Sequence, residues 1–392
     1  MSDLYQAAVA RHHLADMKDK GLLRQLRELD SAQGPVVRTG DRDVINFCSN
    51  DYLGMANDKR LKITMHQALD RYGVGSGASQ LVCGRSRAHE KLERQLAACT
   101  NRDRALVFST GYMANLAVAT ALGPGRAGRI YEDRLNHASL IDGAILSRSK
   151  LVRYKHKDVR MLASKLSRDQ DEKLVLTDAV FSMDGDIAPL AEIAELCLKF
   201  HAMLAVDDAH GFGILGERGL GCMELFGLSQ QQAPVLIITF GKALGVFGAC
   251  VAGPEDLIET LVQKARTFIY TTALPPAIAA AVSASLEIIV SEEDRRASLK
   301  KLISYFREGA QSLSLPLLES ATPIQPLIIG DNAKTVSLSR NLLDKGFLVA
   351  PIRPPTVPEN SARLRITLTS SHTIAQVDGL LDKLAREYIK VK

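Results

Sequence analysis

Between about residues 100 and 250, short unbroken apolar runs alternate with stretches whose apolar positions recur at helical spacing. "RALVFS" is followed by "GYMANLAVATAL", "GRIYED" by "HASLIDGAILS", and "KLVLTDAVFS" by "PLAEIAELCLKFH"; "AMLAVDDAH" and "PVLIITFG" are two further runs. Runs this short and rich in β-branched residues predict buried strands. Their alternation with helices predicts a mainly parallel sheet covered on both faces. The pattern then changes. "PPAIAAAVSASLEIIV" and "SEEDRRASLKKLISYFREGAQSL" predict long helices, the second opening on Ser291-Glu292-Glu293, where the helix dipole favours acids. The apolar segment "IQPLIIG", a helix "AKTVSLSRNLLDKG", the apolar segment "FLVAPI", a proline turn, a strand "ARLRITLT" and a closing helix follow. The expected organisation is an N-terminal arm over residues 1–45 built on an amphipathic helix, a large α/β domain over 46–290 and a smaller α+β domain over 291–392.

Each strand candidate stays apolar until it ends. The polar residues there are Ser109-Thr110-Gly111, Asp133, Ser182 to Asp186, Asp207 to His210, and Thr239 to Lys242. Open α/β sheets bind ligands outside the carboxyl ends of their strands, so five such ends in succession point to one site. The net charge of +5 on 392 residues, evenly spread, is too mild to argue for nucleic acid and suits small anionic ligands or an ordinary solvated surface. None of the six cysteines forms a C-x-x-C pair, which predicts buried thiols in a reducing compartment. The first helix lacks the unbroken apolar core of a signal peptide, and no apolar run has the length of a membrane span. A cytoplasmic protein is expected. Asp184 and Asp186 lie on a separate segment from Asp207 and His210, with no further His nearby, so no metal site is expected.

Lys242 in "IITFGKALGVFGA" is the only charge in an apolar, glycine-rich stretch. A lysine there either snorkels to the surface or is desolvated, with a lowered pKa and nucleophilic character toward aldehydes. The best-known use of the second kind is a Schiff base with pyridoxal phosphate. That cofactor needs a carboxylate against its ring nitrogen, and Asp207 closes an apolar run; an Asp pair capping a turn would look the same. His210, three residues on, could reach the ring's phenolic oxygen. "VFSTGYMANLAV" reads as strand, small polar turn and helix, a phosphate-binding arrangement as well as a plain N-cap. Ser109, Thr110, Gly111, Tyr112 and Thr239 are its candidate contacts. "YGVGSGASQLVCG" lacks the G-x-G-x-x-G spacing of a dinucleotide site. His137 could stack on a flat ring or be an ordinary core histidine.

The order of these features, together with "NFCSNDYLG", "GSGASQLVCG", "DRLNHASLIDG", "FSMDGDIAPL", "VDDAHGFGILGERGLG", "YTTALPPA" and "ARLRITLTSSHT", resembles the α-oxoamine synthases over nearly the whole chain. These are pyridoxal-phosphate enzymes of fold type I, acyltransferases that condense an amino acid with an acyl thioester and release CO2. The resemblance implies the following roles. Lys242 carries the cofactor, Asp207 pairs with its ring nitrogen, His210 lies by the phenolic oxygen, His137 stacks on the ring and Ser182 lies close by. Gly111, Tyr112 and Thr239 hold the phosphate side, with Thr272 reaching across from the other subunit of a homodimer. Asn50 and Arg365 receive the amino-acid carboxylate, and Arg27 is a possible contact for the acyl donor. "IQPLIIGDN" and "APIRPPTVP" resemble the biotin-pathway branch, which implies L-alanine and a pimeloyl thioester, on coenzyme A or acyl carrier protein, as substrates. A glycine-using aminoketobutyrate ligase and a non-catalytic scaffold paralogue are the competing readings.

Overall fold

The computed structural model describes residues 2–391, which fall into two compact units. The first comprises Asp51–Ser182 and Asp186–Arg296. The second takes in the chain up to Asn50, Met183–Gly185 and the chain from Ala297 onward.

The first unit is built on a seven-stranded sheet. Its strands are β1 (Arg104–Phe108), β2 (Arg129–Asp133), β3 (Lys150–Tyr154), β4 (Lys173–Asp178), β5 (Ala202–Asp207), β6 (Val235–Thr239) and β7 (Ala249–Gly253), in the spatial order β1-β7-β6-β5-β4-β2-β3. The pairs from β3 through β6 are parallel. β7 runs antiparallel to both β6 and β1, so the sheet is mixed but mainly parallel. β7 escapes the sequence pattern because "ACVAG" is short, small and continuous with a glycine-rich turn. Helices α1 (Gly111–Ala121) and α2 (Ala138–Leu146) cover one face. Val118 and Leu140 pack there with Leu106, Leu174, Ile237 and Val251, all buried. Each such side chain contributes about 1.5–3 kcal/mol to the core that backs the strand ends.

The second unit carries two three-stranded sheets. Ile324–Gly330 and Ala350–Ile352 flank Ala362–Thr367, both antiparallel to it. Arg42–Asn46 pairs antiparallel with Val36–Thr39 and parallel with Phe347–Leu348. The segment "FLVAPI" breaks after Leu348 and serves both sheets. The N-terminal helix spans Ser2–Asp19, yet Val9 and Leu14 are 53% and 50% exposed. The amphipathic reading is corrected: from Ala7 onward the helix presents no buried face in this chain. The helix expected from Ser291 begins instead at Asp294. Ser291 closes the preceding helix Pro276–Ser291, its hydroxyl donating to the Glu287 carbonyl (2.8 Å), and Glu292 in the junction pairs with Arg60 and Arg295. Cys197, Cys222 and Cys250 are buried as expected, but Cys83 is exposed. Among the described residues no helix is long and apolar enough to cross a membrane.

Candidate active site

The register of the parallel sheet sets Asp178, the last residue of β4, directly against Asp207, the last residue of β5. Both are almost fully buried. Two carboxylates on neighbouring strands repel, so burial and then the Asp207 charge push the Asp178 carboxyl well above its usual range. Asp178 accepts the His137 N–H at 2.6 Å. Asp207 accepts the Ala209 N–H at 3.0 Å and the Asn115 amide at 2.6 Å.

Asn115 lies one turn into α1 and joins two predicted residues. Its amide nitrogen also donates to the Ser139 hydroxyl (2.8 Å), which lies 2.7 Å from His137 Nδ1. The Ser139 N–H donates to the same ring nitrogen at 3.3 Å. Nδ1 is therefore an acceptor, and the ring is neutral with its proton on Nε2. Burial holds the His137 pKa down; Asp207 opposes this and Lys242 adds to it.

Lys242 follows β6 on a tight turn. Gly245 N donates to the Lys242 carbonyl at 2.8 Å, and Val246 N to the Phe240 carbonyl at 2.8 Å. Gly245 has φ +66°, and a Cβ there would meet the Ala56 nitrogen at 2.4 Å, so the turn requires glycine. The lysine is half-buried rather than enclosed. Its charge lowers the pKa of both His137 and Asp178, and the strand it follows pairs with the one that ends at Asp207.

The phosphate-side residues also converge. Thr110 caps α1 by accepting the Met113 N–H (3.1 Å), leaving the first-turn N–H groups of Gly111 and Tyr112 without an intrahelical acceptor. A Cβ on Gly111 would lie 2.5 Å from Thr239 Cγ2, so only glycine lets the helix start this close to the end of β6. The Thr239 hydroxyl is buried with no hydrogen-bond partner in the chain. An orphaned hydroxyl beside free helix-end N–H groups fits an anionic phosphate. Tyr112 is 45% exposed and donates to Asp142. His210 is buried with Nδ1 2.6 Å from the Tyr52 hydroxyl. Ser182 is half-buried, and Thr272 is exposed.

In the second unit Arg365 is almost fully buried, and both terminal nitrogens donate to the Asn50 amide oxygen at 3.1 Å; one also donates to Thr367 (3.0 Å). Arg363, two residues earlier, meets the Asp184 carboxylate. Arg27 lines a cavity of about 520 Å3 with Lys18, Arg24, Arg340 and Arg353, and no acidic side chain is among its described lining residues. Burial and then the charges of Arg24 and Arg340 lower the Arg353 pKa. Arg27 and Arg365 both act on Cys48, whose thiol burial nevertheless pushes up to about 12.

Sequence reasoning missed Asp178, Asn115, Ser139 and Tyr52. Asn115 carried a signal, as the one amide in the apolar helix "GYMANLAVATA". Asp178 carried another, a strand-end acid like Asp207.

Residues 42–384 match the family model described as aminotransferase class I and II. An 8-amino-7-oxononanoate synthase from Thioalkalivibrio sulfidiphilus is 54% identical over 375 residues, 95% of each chain. A serine palmitoyltransferase variant from S. paucimobilis, solved with a bound PLP–myriocin aldimine, superposes with a TM-score of 0.93 at 28% identity, covering 99% of this chain and 98% of that one. A crystal structure of 8-amino-7-oxononanoate synthase from Francisella tularensis gives a TM-score of 0.78 at 32% identity, covering 88% of this chain and 98% of that one.

Proposed function

The chain belongs to the aminotransferase class I and II family, and from that premise we propose that it catalyses the decarboxylative condensation of L-alanine with a pimeloyl thioester, the reaction of 8-amino-7-oxononanoate synthases in biotin biosynthesis. The observation that carries this reading is the placement of Asp207 and Lys242 after adjoining strands, with His137 linked to Asp207 through Ser139 and Asn115, in a chain 54% identical to such a synthase. The cofactor is pyridoxal 5'-phosphate, which when bound supplies the electron sink that stabilises negative charge at the amino-acid Cα.

The chain's own residues account for the rest. Asp207, fixed by Asn115 and the Ala209 N–H, would hold the proton on the ring nitrogen. His137 would lay its neutral ring on the cofactor plane, its tilt set by Ser139. The Thr239 hydroxyl and the N–H groups of Gly111 and Tyr112 would hold the phosphate. The Lys242 amine would anchor the cofactor and, once displaced by alanine, take the Cα proton as general base and later return a proton. His210 and Ser182 would border the cofactor. Arg365 and Asn50 would orient the alanine carboxylate, a task the guanidinium fork suits. The cationic cavity around Arg27 would attract the donor thioester, which is acidic whichever carrier it rides on.

A homodimer completes this reading. Val74, Val82, Tyr270 and Leu81 are 84%, 77%, 71% and 52% exposed. Their segments are joined by the Ala273 N–H to the Ala78 carbonyl (3.0 Å). An apolar patch of this kind, beside exposed Thr272, suits a second copy of the chain that receives Thr272. The six free cysteines support a reducing, cytoplasmic setting.

The test is thiol release by the purified, cofactor-loaded protein. Release with L-alanine and a pimeloyl thioester, and little with glycine and acetyl-CoA, is expected. The reverse preference would keep the chemistry and overturn the substrates.

A further inference from the structure

His156 follows β3 and has no place in the mechanism above. Its Nδ1 lies 3.0 Å from Asp133 Oδ1, at the end of β2, and its Nε2 lies 2.9 Å from Asp186 Oδ2. A neutral imidazole has one N–H and can donate to only one carboxylate. An ionised carboxylate only accepts, so one at hydrogen-bond distance from each ring nitrogen calls for a proton on both. Lys157 reinforces this junction: its backbone N–H donates to Asp133 (2.7 Å) and its ammonium meets Asp186 (3.0 Å). Burial would hold the His156 pKa down, but the bonds to Asp133 and Asp186 outweigh it and raise the pKa to about 9.

The two carboxylates belong to two turns that matter. From Asp133 the chain turns into His137, with the Asn136 N–H donating to the Asp133 carbonyl at 3.2 Å. Asp186 closes the turn that contains Ser182: the Phe181 N–H donates to the Asp186 carbonyl (3.0 Å), and Val180 bridges to Ile187. The His156 ring also packs edge-on against Phe181, with centroids 4.4 Å apart.

We infer that His156 is a positioning residue acting as a fixed cation: its imidazolium ties Asp133 to Asp186 and so holds the His137 turn and the Ser182 turn in one geometry. The inference rests on the reading of those two residues as cofactor contacts.

The test compares H156Q, H156K and D186N in the cofactor-loaded protein, each checked for folding by thermal melt. H156Q is expected to lower kcat about 10- to 100-fold, the scale of a small misplacement of reacting groups, with KM for both substrates nearly unchanged. It should also weaken the circular dichroism of the cofactor's visible band and speed amide exchange over residues 180–187. H156K, which restores a cation with donors to spare, should recover much of the loss. D186N should reproduce H156Q, and the H156Q/D186N double variant should be no worse than either, the mark of one shared interaction. Wild-type kcat and exchange in H156Q, equal loss in H156Q and H156K, or additive losses in the double variant would each overturn the inference. Amide exchange needs no substrate, so its outcome stands apart from a failure of the wild-type protein to release thiol.

Discussion

At the ends of β4 and β5 two carboxylates are buried almost completely, each held by a backbone N–H, and Asp207 also by an amide. Around the cavity of the second unit the opposite holds: Arg24 and Arg27 are exposed and several cations share one space. A buried charge with fixed partners acts on one atom, and its loss cannot be made up by solvent. Exposed charges of one sign act together through a field that water and salt screen. The first arrangement suits chemistry and the second suits capture.

Substitutions at the two places should therefore differ in kind. Asp207→Asn removes the carboxylate and leaves its shape, and should cost about 100-fold or more in kcat, measured as thiol release at saturating substrates. Arg365→Lys replaces a fork by a point charge; KM for L-alanine should rise about 10-fold with a smaller change in kcat. Arg27→Ala should raise KM for the pimeloyl thioester only about 2- to 5-fold, with the gap closing as salt is added. A salt-independent 100-fold loss at Arg27 would erase the distinction drawn here.

The smallest effect concerns a buried carboxyl outside both regions. Glu132 in β2 is fully buried with neither oxygen bonded, and burial, opposed by Arg153, pushes it up to about 8. Its folded pKa lies above the unfolded value of 4.5, so the folded state binds the extra proton. Stability must then fall as pH rises between about 4.5 and 8. Glu132→Gln should raise Tm by a few °C at pH 8 and make little difference at pH 5, with thermal melts at the two pH values as the check.

The strand-end half of this picture was legible in the sequence for a physical reason. A parallel sheet buried on both faces admits polar residues only where strands end, so Asp207, Thr239 and Lys242 stood out. Asp178 did not, because only the register shows that it faces Asp207. Tyr52 and His210 are separated by 158 positions, and nothing local announces their bond. The cationic cavity was harder still. Its lining comes from residues 18–27, Cys48 and 336–353, and a scattered arginine in a chain of +5 net charge reads as solvated surface until the fold gathers it. The N-terminal helix misled in the other direction, since periodic apolar residues imply a buried face that Val9 and Leu14 do not have in this chain.

The central claim is that the strand ends make Lys242 the cofactor's anchor. The most direct measurement is borohydride reduction of the protein loaded with pyridoxal phosphate, followed by peptide mass mapping. The account predicts loss of the visible absorbance band and a stable pyridoxyl group on the peptide bearing Lys242. A label spread over surface lysines, or fixed on another single lysine while Lys242 stays unmodified, would contradict it.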